Sequence, residues 1–228
     1  LIVHVTSLQQ ARDLAAEWPD AAEALAEAFW PGPLTLIVPK RKEIDDVVTG
    51  GLDTVGLRMP DHPVAAALLE MAGVPVAAPS ANIHEQLSPT RAAHVMAGLD
   101  GRVDIVVDGG ATSVGIESTV VTVVDGTPTV LRPGMIGREA LESVVGRVDW
   151  ADDATIDDDA ARPSPGMASR HYAPRAALRI VDGGELAEAV AQAAGPSGAI
   201  AIEGSAGDRQ LSGEEHVLRL PSTPGMYA

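Results

Sequence analysis

Cysteine is absent from all 228 residues of the chain. That excludes a disulfide framework, a thiolate metal site and a cysteine nucleophile. Lysine is nearly absent too, with only Lys40 and Lys42, although arginine is common. No run of about 18 uncharged apolar residues occurs, so nothing reads as a membrane span. A signal-peptide pattern is also missing, and the first residue is Leu1, which reads as a chain whose start lies upstream. A reducing, cytoplasmic setting is the expectation. Several motifs are lacking as well. There is no G-x-S-x-G elbow, and neither a P-loop nor a G-x-G-x-x-G turn follows a strand. None of the six histidines pairs with another at metal-ligand spacing beside a carboxylate.

What is present reads as an ordinary folded protein, 46% hydrophobic and long enough to bury a proper core. Sixteen basic against thirty-two acidic residues leave a formal charge of −16. A charge of that sign repels nucleic acid at long range. No basic stripe with interleaved aromatics offsets it, so direct RNA binding is disfavoured.

The opening "LIVHV" reads as a strand. In "SLQQARDLAAEW", Ser7 and Gln10 stand in capping-box register, so a helix follows. "PDAAEALAEAF" predicts a second helix, with Asp20 as its cap and Glu23 three residues on. "LTLIVP", "TVGLRMP", "VPVAAPS" and "VDIVVDGG" predict strands, and "STVVTVVDGTPTVLRPG" a hairpin turned at Asp125-Gly126. Helices are expected over "HPVAAALLEMAG" and "SPTRAAHVMAGL", the latter capped by Ser88 or Thr90. The result is an α/β domain built on a mixed sheet, over residues 1–148. An acidic stretch without apolar periodicity comes next and reads as a linker, extending to residue 177. From residue 178 a β-α-β pattern starts a second domain, with "LRIV" as a strand, "GGELAEAVAQAAG" as a helix and "GAIAIEG" as a second strand.

Polar residues gather at strand ends and in the loops after them: Arg58 in "LRMP", Ser80 and Asn82 in "PSAN", Ser88, Ser118 and Thr119 in "IEST" and Arg132 in "LRPG". Ligand sites of open sheets lie in such places, because side chains converge there beyond the packed core. Each residue also has a plainer role open to it. Arg58 could pair with a surface carboxylate, Ser80 and Asn82 could satisfy their own turns, Ser88 could cap a helix, and His4 could be a core histidine.

Taken in order, "LIVHV", "PGPLTLIV", "TVGLRMP", "APSAN", "IESTVV", "LRPG" and the linker motif "SPGMASRHYAP" resemble the YrdC/Sua5 family of threonylcarbamoyl-AMP synthases. The resemblance runs from residue 1 to about 177. The segment from 178 onward is similar to the start of the small Rossmann-like domain of the longer Sua5 type. The resemblance implies a twisted mixed sheet with helices, a linker, and a partial C-terminal domain from 178 to 228. The family's Thr-x-Tyr and "KGRP"-like segments are expected ahead of "LIVHV".

The implied reaction joins L-threonine, bicarbonate or CO₂, and ATP into threonylcarbamoyl-adenylate, and releases pyrophosphate. A downstream complex then transfers the group to adenosine 37 of tRNAs that read ANN codons. By resemblance, His4, Arg58, Ser118 and the backbone near Ala78 meet threonine. Thr54, Ser80, Ser88, Arg132 and Tyr172 meet ATP, with Asn82, Arg170 and His171 as second-tier neighbours. Mg²⁺ accompanies the nucleotide, no metal site of the protein's own is implied, and no catalytic acid or base is assigned. The linker motif is expected to act as a lid over the nucleotide, with Tyr172 on it. Carbamoyl-adenylate chemistry of the hydrogenase-maturation type, which shares the module, is argued against by the lack of cysteine.

Overall fold

Strand β2 (Leu34–Pro39) is the axis of the molecule because nearly every residue in it is buried, the pattern of a strand covered on both faces. The computed structural model describes residues 1–84, 86–124, 126–151, 179–182, 184–193, 198–202, 205 and 217–220. The linker motif, with Arg170, His171 and Tyr172, lies outside the described residues. The chain divides into two compact units, Leu1–Ala173 and Pro174–Ala228.

In the first unit β2 joins β1 (Ile2–His4), β3 (Thr54–Arg58), β4 (Val76–Ala78), β5 (Thr119–Thr122), β6 (Thr129–Arg132) and β7 (Asp149–Trp150). The sheet order is β4-β1-β3-β2-β5-β6-β7. Parallel and antiparallel neighbours alternate irregularly, so the sheet is mixed as expected: β1 runs parallel to β3, while β2 runs antiparallel to β3 and parallel to β5. The hairpin of β5 and β6 forms as expected, with Thr122 opposite Thr129. Gly126 in its turn takes φ 91°, a backbone conformation that favours glycine.

Alternation along the strands separates two faces. Val3, Val55, Leu57, Leu34, Leu36, Val38, Val121 and Val130 point to one, where they pack with Ala11 of α1 (Leu8–Leu14), Ala22, Leu25 and Ala26 of α2 (Asp20–Phe29) and Leu141 of α6 (Arg138–Val145). This is the hydrophobic core. Arg12 of α1 holds Glu23 of α2 in an ion pair, and Trp18 Nε1 donates to the same carboxylate at 2.6 Å. The opposite face carries Ile2, His4, Thr35, Ile37, Gly56 and Arg58. The short helix α3 (Asp46–Thr49) buries nothing, of α4 (Pro63–Ala72) only Leu69 is buried, and of α5 (Ala92–Leu99) nothing is. Among the described residues the polar face is therefore the less covered of the two.

Some expectations change. Ser7 caps α1 as foreseen, accepting from the Gln10 amide at 3.1 Å. In α2 the cap position falls to Pro19, whose ring fixes φ at −63°, and Asp20 becomes the first helical residue. The expected strand over Val103–Gly110 does not form. Val103, Ile105 and Val107 alternate in sequence but stay exposed, since no strand among the described residues offers them a ladder. Asp149 and Trp150, expected in the linker, instead close the sheet edge by pairing with Thr129 and Val130. Among the described residues of the second unit, residues 179–181 form no strand where "LRIV" predicted one. Helix α7 (Leu186–Ala191) and strand β8 (Ala199–Ile202) form where expected, and β8 pairs in parallel with β9 (Val217–Leu220).

Candidate active site

One edge of the polar face collects the C-terminal ends of β1, β3 and β6 and the N-terminal ends of β2 and β5. His4 pairs with Arg58 in the β1–β3 register, so their side chains stand side by side on that face. Arg58 Nε donates to the Gly32 carbonyl at 3.1 Å. Gly32 belongs to the "PGP" turn entering β2, and its own amide donates to the Met59 carbonyl at 2.9 Å. The turn thus fixes the base of the guanidinium. Its two terminal nitrogens take no hydrogen-bond partner among the described residues, so an oxyanion-binding fork faces outward.

Burial lowers the Arg58 pKa from its ordinary value. Asp61 opposes that shift, and the nearby Arg132 cation adds to it. Two guanidiniums close enough to repel one another, with a half-buried histidine beside them, form a place for an anion. The pKa of His4 is likewise held below its ordinary value, first by burial and then by Arg58, with the nearby backbone of Val76 and Ile2 opposing. The imidazole is therefore neutral at pH 7, and its buried Nδ1 has no partner among the described residues.

A stability prediction comes from the His4 shift. The unfolded chain takes up the proton first, so the neutral His4 contribution is fully present above the ordinary value of about 6.5 and is lost as pH falls toward the folded pKa. Denaturant titrations at about pH 7.5 and about pH 5.5 should show the wild type losing more stability on acidification than His4→Gln. Equal losses would mean that His4 is not held neutral.

Ser118 and Arg132 lie at the other end of this edge. Ser118 is 4% exposed and Arg132 8%. Arg132 Nε and Nη2 donate to the Ser118 carbonyl at 3.2 and 3.0 Å, and Nη2 also reaches Ser118 Oγ at 3.0 Å. The loop after β6 is fastened to the same segment. Thr119 Oγ1 accepts from the Ile136 amide and donates to its carbonyl, both at 3.0 Å. Gly134 packs so closely that a Cβ on it would lie 2.4 Å from the Thr119 amide nitrogen and 2.6 Å from the Glu117 carbonyl. "LRPG" and "IEST" therefore act as one unit.

The remaining candidates spread away from this edge. Thr54 lies two steps before Gly56 on the same face of β3, toward the opposite edge. Ala78 pairs with Ile2 on that face. Ser80 comes next, in an exposed loop. Asn82 staples that loop, donating to the Ile83 and Gln86 carbonyls at 2.9 and 2.8 Å, while its Oδ1 is buried without a partner among the described residues. The loop returns to the Arg58 edge at Ser88. Ser88 was open to reading as a helix cap, but α5 begins after Arg91 with no side-chain cap. The Ser88 hydroxyl donates instead to Glu117 Oε1 at 2.5 Å, because the returning loop brings it against "IEST" rather than the helix start.

Sequence reasoning passed over Thr35, Gly56, Glu117 and Gly134. A signal for Thr35 existed, since a hydroxyl inside the apolar run "LTLIVP" must find a partner if the strand is buried. Gly56 lacks a positive φ. A Cβ there would meet Ile37 Cδ1 at 3.1 Å and Thr35 Cγ2 at 3.4 Å, so the glycine makes room for its neighbours.

Comparison with known proteins gives the family. A family model grouping Sua5, YciO and YrdC proteins, described as "Telomere recombination", matches residues 1–134. The chain belongs to the YrdC/Sua5 family. A second model, "Threonylcarbamoyl-AMP synthase, C-terminal domain", matches residues 136–226, which makes this the long Sua5 type. The threonylcarbamoyl-AMP synthase of Bacillus subtilis is 48% identical over 80% of this chain and 53% of its own length. That of Pyrococcus abyssi is 45% identical over 80% of this chain and 54% of its own. The chain thus spans about half the length of these curated relatives. The crystal structure of P. abyssi Sua5 complexed with L-threonine matches with a TM-score of 0.74 at 40% identity, covering 89% of this chain and 54% of that one. A form of that protein with a histidine and the following tyrosine changed to alanine matches at 0.72 and 38%, covering 89% of this chain and 52% of that one.

Proposed function

We propose that this Sua5-type chain carries the amino-acid site and part of the nucleotide site of a threonylcarbamoyl-AMP synthase. The observation behind this reading is the Arg58 fork, held at its base by Gly32, with neutral His4 beside it and the Arg132 cation nearby. A planar carboxylate meets such a fork through two charge-assisted bonds. L-Threonine is the amino acid in the related P. abyssi complex.

In this reading Arg58 clamps the threonine carboxylate, while His4, Ser118 and the backbone near Ala78 surround the rest. ATP lies along the same face toward Thr54, Ser80 and Ser88, with Arg132 supplying positive charge. Mg²⁺ enters bound to the phosphates of ATP, as part of the substrate. The amine takes up CO₂ or bicarbonate as a carbamate, a carbamate oxygen attacks the α-phosphorus, and pyrophosphate leaves. Positioning and electrostatic stabilisation carry that displacement. Carbamate and mixed anhydride are both labile in water, so the site has to be closed. That is the role we give to the 164–174 motif. The relative altered at an adjacent histidine and tyrosine supports attention to His171-Tyr172, the sole His-Tyr step in this sequence. The product is consumed by a complex that modifies ANN-decoding tRNAs, which sets the reaction in the cytoplasm. No helix among the described residues is long and apolar enough to cross a membrane.

The test is pyrophosphate release from ATP and bicarbonate by the full-length protein, comparing L-threonine with L-valine and L-serine. Release that depends on threonine and is at least about tenfold weaker with valine fits a site that pairs the substrate hydroxyl. Release indifferent to the amino acid would overturn the reading.

A further inference from the structure

Thr35 is fully buried, and its hydroxyl lies 2.7 Å from Ser118 Oγ, its one hydrogen-bond partner among the described residues. Either oxygen could donate on distance alone. The surroundings decide between them. If Ser118 donated, the Thr35 proton would be left buried with no acceptor, at a cost comparable to a lost hydrogen bond. Ser118 Oγ also receives Arg132 Nη2 at 3.0 Å, and a guanidinium can only donate. With Thr35 donating as well, both lone pairs of Ser118 Oγ are filled. Its remaining capacity is its own O–H.

We infer that Thr35 is a positioning residue which, with Arg132, fixes the Ser118 hydroxyl as a hydrogen-bond donor toward the bound amino acid. The Thr35 side chain is kept in the required orientation by Gly56. Its methyl group sits over that glycine, at the place where a Cβ would approach it to 3.4 Å. Ser118 then demands an acceptor oxygen. The hydroxyl, carboxylate or carbamate oxygens of a threonine-derived substrate answer that demand, and a hydrocarbon side chain does not. A ligand that cannot accept leaves the Ser118 proton unpaired, which is how a buried polar group discriminates more strongly than a methylene does. This inference rests on the proposal that Ser118 meets the amino acid.

The experiment compares Thr35→Val, Thr35→Ser and Ser118→Ala in the full-length protein. Thr35→Val keeps the shape and removes the hydroxyl, while Thr35→Ser restores it. Thr35→Val should raise the KM for L-threonine about tenfold with the KM for ATP unchanged, and Thr35→Ser should stay within about twofold of wild type. A role in packing alone would shift both KM values together or lower Tm without the split. Thr35→Val matching wild type while Ser118→Ala is impaired would overturn the inference, as would Thr35→Ser failing as badly as Thr35→Val. Neutron diffraction asks the same question without substrate. Deuterium on Thr35 Oγ1 directed at Ser118 supports the inference, and deuterium on Ser118 directed at Thr35 overturns it. If the neutron map supports it but Ser118→Ala leaves the threonine KM unchanged, the donor device stands and the assignment of Ser118 to the amino-acid site fails.

Discussion

Arg58→Ala should lower kcat/KM for L-threonine by about 100-fold or more, because removing one side of a largely desolvated charge pair costs about 2–5 kcal/mol. The loss should fall mainly on the threonine KM. Arg58→Lys should recover little of it. A lysine reaches the same place as a single point charge, and cannot both hold the Gly32 carbonyl and present two parallel donors. Steady-state pyrophosphate release at varied threonine checks both variants. A lysine variant close to wild type would show that the site needs a charge there and no fork.

The second large effect is expected at Gly134→Ala. The new methyl group would lie within 3 Å of three backbone atoms, the Thr119 nitrogen, the Glu117 carbonyl oxygen and the Ser118 carbonyl carbon. Those atoms cannot swing aside as a side chain would, since Thr119 is fastened to Ile136 and its amide donates to the Pro33 carbonyl at 2.9 Å. Overpacking of this kind costs about 1–3 kcal/mol or more, which lowers Tm by roughly 2–12 °C in a domain of this size. Threonine affinity should fall along with it, because Ser118 is displaced from both Thr35 and Arg132. Thermal denaturation and threonine titration of the same sample check the two halves. A variant that melts like wild type would mean that the loop can move away from "IEST".

Most of the sheet was legible because strands such as "TVVT" and "TVLR" are rich in β-branched residues, and "LTLIVP" in particular carries apolar residues on both faces. The edge cluster was legible in part. His4, Arg58, Ser118 and Arg132 all stand at strand ends, and an open sheet brings such ends together. What holds these residues was not legible, because it depends on pairing between distant segments. Thr35 and Ser118 are 83 residues apart, and only the parallel pairing of β2 with β5 sets them side by side. Gly134 looked like a turn residue until its closeness to Thr119 gave it another reason to be glycine. Ser88, followed by Pro89, also read as a cap although it lacks the capping-box partner that Gln10 gives Ser7, and no local feature pointed it to Glu117. Val103, Ile105 and Val107 alternate as a half-buried strand does, yet alternation supplies no partner.

The most direct test of the central claim is mass spectrometry of the nucleotide product formed by the full-length protein from ATP, L-threonine and ¹³C-bicarbonate. The account predicts an adenylate that carries the threonine mass and one ¹³C atom, formed in step with pyrophosphate and absent when threonine is omitted. Adenylate without threonine, or without the label, would contradict it.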